Sequence, residues 1–379
     1  MKRVNPFITK GYVSAELFCD RENELKILRN NIKNGVNTTL ISIRRMGKTG
    51  LIYRFFDEIN TGNDDFITVY IDIFSARSLD DFVKLFAEAI LKFYPEKTSL
   101  GRRFLKIVKG FRPLISYNSI TGEPQIQITY QTPYEKEITL RNLFEFLENQ
   151  GKKVILVIDE FQQITEFPEK NIEALLRTYI QPLDNISFIF CGSKKTMMLD
   201  IFSNAKRPFF GMTQYLHLGE IDKEKYSEFI TKLFSVNNKN IGTEEVEFIL
   251  EWTNRHTYYT QALCNAIYSF SNKNIDIEDV KEACSYILQH DEPVYLQYRQ
   301  LLTPAQWNFL IAVAKEEKVT QITSQDFVSK YGIGAPANAK RICKALIDKD
   351  LLFANADFNE ITYQVYDVFL MRWLQSKFF

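Results

Sequence analysis

The stretch TTLISIRRMGKTGLIYRFF, residues 38–56, limits the possible folds more than any other part of the chain. Apolar, β-branched residues crowd positions 38–43, which reads as a buried strand, and KTGLIYRFFDEI (48–59) has helical spacing. Between them, Gly47-Lys48-Thr49 closes the pattern G-x-x-x-x-G-K-[ST]. A strand turning through such a loop directly into a helix presents backbone N–H groups at the helix N-terminus, where phosphate oxygens are held. Lys48 would supply a point charge for the β and γ phosphates and Thr49 a hydroxyl for Mg²⁺. The first glycine of the pattern is Ser42 here. Gly47 is the position where backbone approaches phosphate, whereas Ser42 opens the turn, where another small residue can stand. Arg44, Arg45, Met46 and Gly50 complete the loop as candidate contacts.

A second stretch fits the first. VILVIDEF (154–161) is an apolar run ending in Asp159-Glu160. Such a strand would deliver Asp159 to hold a metal's water shell and Glu160 to polarise an attacking water. The two motifs are about 110 residues apart and in the expected order. FIFCGS ends a further strand at Ser193, which could reach a γ-phosphate or its water. Arg207, in NAKRPFFG, is a candidate arginine finger, as are Arg44 and Arg45. His256, at a helix start further along, could contact nucleotide from a lid.

Around these motifs strands alternate with helices as far as residue 221. Helices are expected over 20–34 (behind Asp20 as N-cap), 78–94 and 139–151, and strands over 66–74, 153–161, 186–193 and 215–221. This alternation predicts an α/β fold with a parallel sheet covered by helices. A hairpin is expected over 117–130, turning at Thr121-Gly122, within an insertion at about 97–135. From 222 the pattern becomes short amphipathic helices without strands. From 299 three helices and a hairpin (LLFANADFNEITYQVYD) describe a winged helix-turn-helix. The expected division is therefore a core (1–221), an all-α lid (222–298) and a winged helix (299–379).

Composition excludes several alternatives. No apolar run approaches 18 residues and no leader pattern opens the chain, so neither a membrane span nor a signal peptide is expected. The five cysteines are scattered without CxxC spacing, and there are three histidines. A disulfide framework or zinc site is not expected, and a reducing cytoplasm fits. Lys and Arg balance Asp and Glu at 47 each, so no global field draws the chain to a polyanion. Two local basic features remain. Lys340, Arg341 and Lys344 lie on the third helix of the winged helix, placed to meet DNA. Arg102, Arg103, Lys106 and Lys109 fall in an acid-free segment that could meet nucleic acid or an acidic partner.

Taken together, LFCDRENEL, ISIRRMGKTGL, LVIDEFQQI, FIFCGSKKTMM, RPFFG and the closing YQVYDVFLMRWL resemble the archaeal-type ATPases of the AAA+/STAND group. That group carries a P-loop core, a helical lid and a winged helix, and the resemblance spans nearly the whole chain. It implies ATP, with Mg²⁺, as ligand and places Phe18, Arg21 and Glu22 beside the adenine. The chain departs from the family pattern at Ser42, at Asp20 (usually glycine), at Met212 (often arginine) and at NRHTYY in the lid. Two functional expectations follow. One is an ATPase switch whose nucleotide state controls surfaces for a DNA or protein partner. The other is a binding module that holds nucleotide without turning it over.

Overall fold

A computed structural model describes residues 5–62, 66–95, 97–108, 113–128, 133–236, 238–270, 273–357 and 360–378. It separates into two compact units, Arg21–Gly219, and the segment up to Asp20 together with Glu220–Phe379.

In the first unit, helix α1 (Glu22–Lys33) precedes β1 (Thr38–Ile41), followed by α2 (Lys48–Thr61), β2 (Phe66–Asp72) and α3 (Leu79–Phe93). An insertion contributes α4 (Ser99–Val108) and the antiparallel hairpin β3 (Pro113–Tyr117) and β4 (Pro124–Ile128). Then come α5 (Pro133–Glu148), β5 (Lys153–Asp159), α6 (Ile172–Ile180), β6 (Ile186–Gly192), α7 (Lys195–Ser203) and β7 (Gln214–His217). Strands β1, β2, β5, β6 and β7 form one parallel sheet in the order β2-β5-β6-β1-β7. All five strands therefore end on the same edge, where open α/β sheets bind their ligands. The core strands are apolar nearly throughout, as β5 (KVILVID) and β6 (ISFIFCG) illustrate, because both faces of the sheet are covered.

Several boundaries differ from expectation for local reasons. Asp20 does not cap α1: Asp20 and Arg21 both have left-handed backbone (φ 59° and 79°), and the Asp20 carboxylate pairs with Lys225 at 2.6 Å. Helix α5 starts at Pro133 rather than 139, because a proline at the first helical position gives up no hydrogen bond. The hairpin turns at the expected residues, but its arms run from 113 to 128. Strand β1 stops at Ile41, and β7 at His217 rather than 221.

The second unit begins after β7 with α8 (Lys223–Ser235), capped by Asp222, then α9 (Thr243–Trp252), α10 (Thr257–Phe270) and α11 (Ile277–Leu301). A two-residue parallel pairing, β8 (Asn240–Ile241) with β9 (Asn274–Ile275), interrupts the otherwise helical segment. The N-terminal segment packs here: Phe7 is buried against Phe234 at 4.7 Å between ring centroids, and Asn265 Nδ2 donates to the Phe7 carbonyl. Helix α11 is continuous for 25 residues across the expected border at 298. Its first half packs in the bundle core through Val280, Ala283 and Cys284, and Tyr295 in its second half packs on Trp373, 5.4 Å away.

The winged helix consists of α12 (Pro304–Glu316), α13 (Gln325–Lys330), α14 (Pro336–Ile347), the antiparallel wing β10 (Leu352–Asp357) and β11 (Glu360–Val365), and α15 (Val368–Phe378). Capping boxes at Asp276 and Thr303 start α11 and α12 sharply. Arg372 of α15 reaches back to α9: Nε donates to the Trp252 carbonyl (2.8 Å) and Nη2 to the Glu251 carbonyl (3.0 Å), while Nη1 pairs with Glu317 (2.6 Å). Its charge thus sits on the last carbonyls of α9, the negative end of that helix dipole.

Candidate functional site

Gly47 and Arg45 carry the left-handed turns of the loop after β1, at φ 99° and 65°. Ser42 is absent from that set, so its position needs no glycine for backbone reasons. It is fully buried, and its hydroxyl donates to the Ile43 carbonyl at 2.8 Å, tying down the start of the turn. Lys48 opens α2 and is 7% exposed, yet no carboxylate lies within ion-pair distance of it among the described residues. A buried cation at a helix N-terminus, itself worth roughly half a positive charge, makes an anion site. Met46 is buried, Gly50 is partly buried, and Arg44 and Arg45 are exposed on the loop.

Thr49 and Asp159 meet across the sheet edge, Thr49 Oγ1 donating to Asp159 Oδ2 at 3.3 Å. Asp159 also accepts from the Tyr70 hydroxyl on Oδ2 (2.5 Å) and from the Glu160 backbone N–H on Oδ1 (2.9 Å). A hydroxyl and a carboxylate facing each other form an all-oxygen donor set, which fits a hard cation such as Mg²⁺. Asp72 lies opposite Asp159 in the strand register. Partial desolvation raises its pKa above the ordinary carboxylate value, against the lowering effect of the Phe74 N–H, and Asp159 and Glu160 add to the rise. Burial likewise raises the pKa of Tyr70, and nearby Asp159 adds to it, so this phenol is a permanent donor. Burial also pushes up the Cys191 thiol, behind the same edge.

Glu160 is held on one side. Ser193 Oγ (2.7 Å) and Gln162 Nε2 (2.5 Å) both donate to its Oε2. Oε1 has no hydrogen-bond partner among the described residues, which leaves it available to a water. The backbone here is left-handed (φ 55°), an unfavourable conformation that persists only where neighbours enforce it. Phe161 does so: its ring is fully buried 4.6 Å from Phe190, 5.6 Å from Phe202 and 5.3 Å from Phe209. Phe209 belongs to the RPFFG motif, which thus anchors the acidic turn from below.

Gly192 is tied to the same arrangement. A Cβ there would stand 2.5 Å from Gln162 Oε1 and 2.5 Å from Met198 Cγ. We expect Gly192→Ala to destabilise the protein by about 1–3 kcal/mol, the usual cost of overpacking. Urea unfolding followed by circular dichroism checks this, and an unchanged midpoint would show that Gln162 and Met198 yield freely.

The remaining sequence candidates make contacts of their own. Arg207 is bound to Glu173 (2.8 Å) and Asp200 (3.2 Å), and among the described residues no hydrogen bond or ion pair joins it to Asp159 or Glu160. Arg21 donates to Glu24 (3.0 Å) and to the Gly219 carbonyl (2.6 Å), bracing the start of α1, while Glu22 is exposed on that helix. Phe18 and His256 belong to the second unit, where Phe18 contacts Tyr12 edge-on and His256 packs on Tyr259. The cations Lys340, Arg341 and Lys344 are all exposed on α14, whose Ala339, Ile342, Cys343 and Leu346 are buried. Arg102, Arg103 and Lys106 are exposed on α4, and Lys109 lies outside the described residues.

Sequence reasoning missed Tyr70, Asp72, Gln162 and Gly192. A signal existed for the first two: with Thr68 they are polar residues at every second position of the strand FITVYID, on one face of it.

A parallel sheet with a glycine-lysine-threonine loop on one strand and paired acids two strands away defines a P-loop nucleotide-binding protein. The model of the family described as ATPase domain predominantly from Archaea matches residues 18–261, and a winged helix domain model matches 293–376. The chain belongs to that archaeal ATPase-domain family. It is similar to an uncharacterized ATP-binding protein of Methanocaldococcus jannaschii, 22% identical over 328 residues (82% of this chain, 85% of that protein). Among solved structures, the Walker-type ATPase of Pyrococcus abyssi aligns with a TM-score of 0.66 at 19% identity, covering 98% of this chain and 99% of that one. The ORC2 protein of Aeropyrum pernix in its ADPNP–ADP complexes aligns at 0.59 and 14% identity, covering 99% and 98%. These two likenesses show the fold. No described helix is long and apolar enough to cross a membrane.

Proposed function

We propose that this protein is a cytoplasmic Mg²⁺-dependent ATPase that acts as a switch. The observation that carries the proposal is the convergence of Lys48, Thr49, Asp159 and Glu160 at one edge of the sheet, with Thr49 and Asp159 in contact. In this reading the loop N–H groups, Lys48 and the exposed Arg44 and Arg45 bind the phosphates. Thr49 and Asp159 hold Mg²⁺, which when bound would neutralise phosphate charge. Glu160 orients the attacking water through Oε1 while Ser193 and Gln162 fix the other oxygen. Nucleotide state then sets the condition of the second unit, whose α14 offers Lys340, Arg341 and Lys344 to a DNA or protein partner.

The test is release of phosphate from ATP by the full chain with Mg²⁺ and with EDTA, each with and without duplex DNA. Turnover that requires Mg²⁺ is expected. Stimulation by DNA would identify the partner class, and turnover indifferent to DNA would point to a protein. ATP retained through purification without any turnover would replace the switch with a nucleotide-bound binding module.

A further inference from the structure

Tyr70 gives the Asp159 carboxylate a hydrogen bond that the nucleotide motifs do not supply. It stands on β2 opposite Val157, two residues before Asp72, and its hydroxyl reaches diagonally to Asp159 Oδ2 at 2.5 Å. Its ring packs against Tyr53 of α2, with centroids 5.3 Å apart. The phenol is thus braced by the helix that follows the phosphate loop and bonded to the strand that carries the acid. A carboxylate oxygen has two acceptor directions. On Oδ2, Tyr70 holds one of them with a short bond, and Thr49 holds the other with a long one of 3.3 Å. The long contact is weak and easily surrendered, whereas the short one persists.

Taking Asp159 as the metal-holding carboxylate, as proposed above, we propose that Tyr70 is a positioning residue for Mg²⁺. Its hydroxyl fixes the rotation of the carboxylate, so that Asp159 keeps its distance from Thr49 and does not collapse onto it. A serine or threonine at this position would be too short to span the diagonal, and phenylalanine would lack the donor. Groups that orient metal-holding side chains typically change metal affinity by about 10–100-fold when removed.

Tyr70→Phe keeps the ring on Tyr53 and deletes only the hydroxyl. The test is binding of the fluorescent analogue mant-ATP to wild type and variant, first in EDTA and then across a Mg²⁺ titration. The expected result is equal affinity in EDTA and a Mg²⁺ midpoint raised about 10–100-fold in the variant. An unchanged or lowered midpoint with intact binding in EDTA would overturn the role of Tyr70 and leave the reading of the site standing. Loss of binding in EDTA would also overturn it, because Tyr70 would then support the phosphate cradle rather than the metal. Wild-type binding indifferent to Mg²⁺ would remove both this inference and the metal role of Asp159.

Discussion

Glu160→Gln is expected to lower ATP turnover by about 10²–10⁴-fold while ATP still binds. The substitution preserves shape and leaves the Asp159–Thr49 contact untouched. It removes the charge that draws a proton from water. Part of the present network survives, since Ser193 can still donate to the carbonyl oxygen of the new amide. Lys48→Ala differs in kind: it deletes a cation that is buried yet has no carboxylate partner among the described residues, so bound nucleotide should be lost along with turnover. Steady-state phosphate release, with nucleotide content measured on the same preparations, separates the two. If Glu160→Gln turned over ATP at the wild-type rate, another group would have to activate the water.

Arg372→Ala should destabilise the second unit by about 3 kcal/mol. The guanidinium gives α9 two C-terminal hydrogen bonds, and it also contacts Glu317, Gln375 and Asn254. Removal leaves the Glu251 and Trp252 carbonyls without that donor and takes positive charge from the end of the helix dipole. Arg372→Lys should recover only part of the loss, because an ammonium cannot reproduce the planar fork. The measurement is straightforward, since all three tryptophans, Trp252, Trp307 and Trp373, lie in this unit. Urea unfolding followed by tryptophan fluorescence therefore reports on it selectively. A midpoint equal to wild type would mean that α15 docks through its apolar face alone.

Much of this architecture was legible in the sequence because it is written locally. The loop at Gly47-Lys48-Thr49, the apolar run before Asp159-Glu160 and the change from alternating elements to helices are all patterns within a dozen residues. Gly192 was not legible in this way, and the strand pattern marks Tyr70 only as one polar residue near a strand end. Their importance comes from strand register and from which side chain stands 2.5 Å away, and neither is encoded near them in the chain. Asp20 shows the same limit: it has the residue type of a helix cap, but a lysine some 205 positions later takes its carboxylate. Ser42 shows the reverse, a departure from pattern at a position that does not require glycine's backbone freedom, since the left-handed turns fall at Arg45 and Gly47.

The run of α11 from the helical bundle to the winged helix has a mechanical consequence. Twenty-five residues at the α-helical rise make a rod about 37 Å long. Anchored by Val280, Ala283 and Cys284 at one end and by Tyr295 against Trp373 toward the other, it carries Pro293 between its two anchors, where a helix bends most readily. A tilt of about 10° at the bundle would carry the far end through about 6 Å, roughly the spacing of one helical turn. A bend at Pro293 would take up part of that travel before it reached the winged helix.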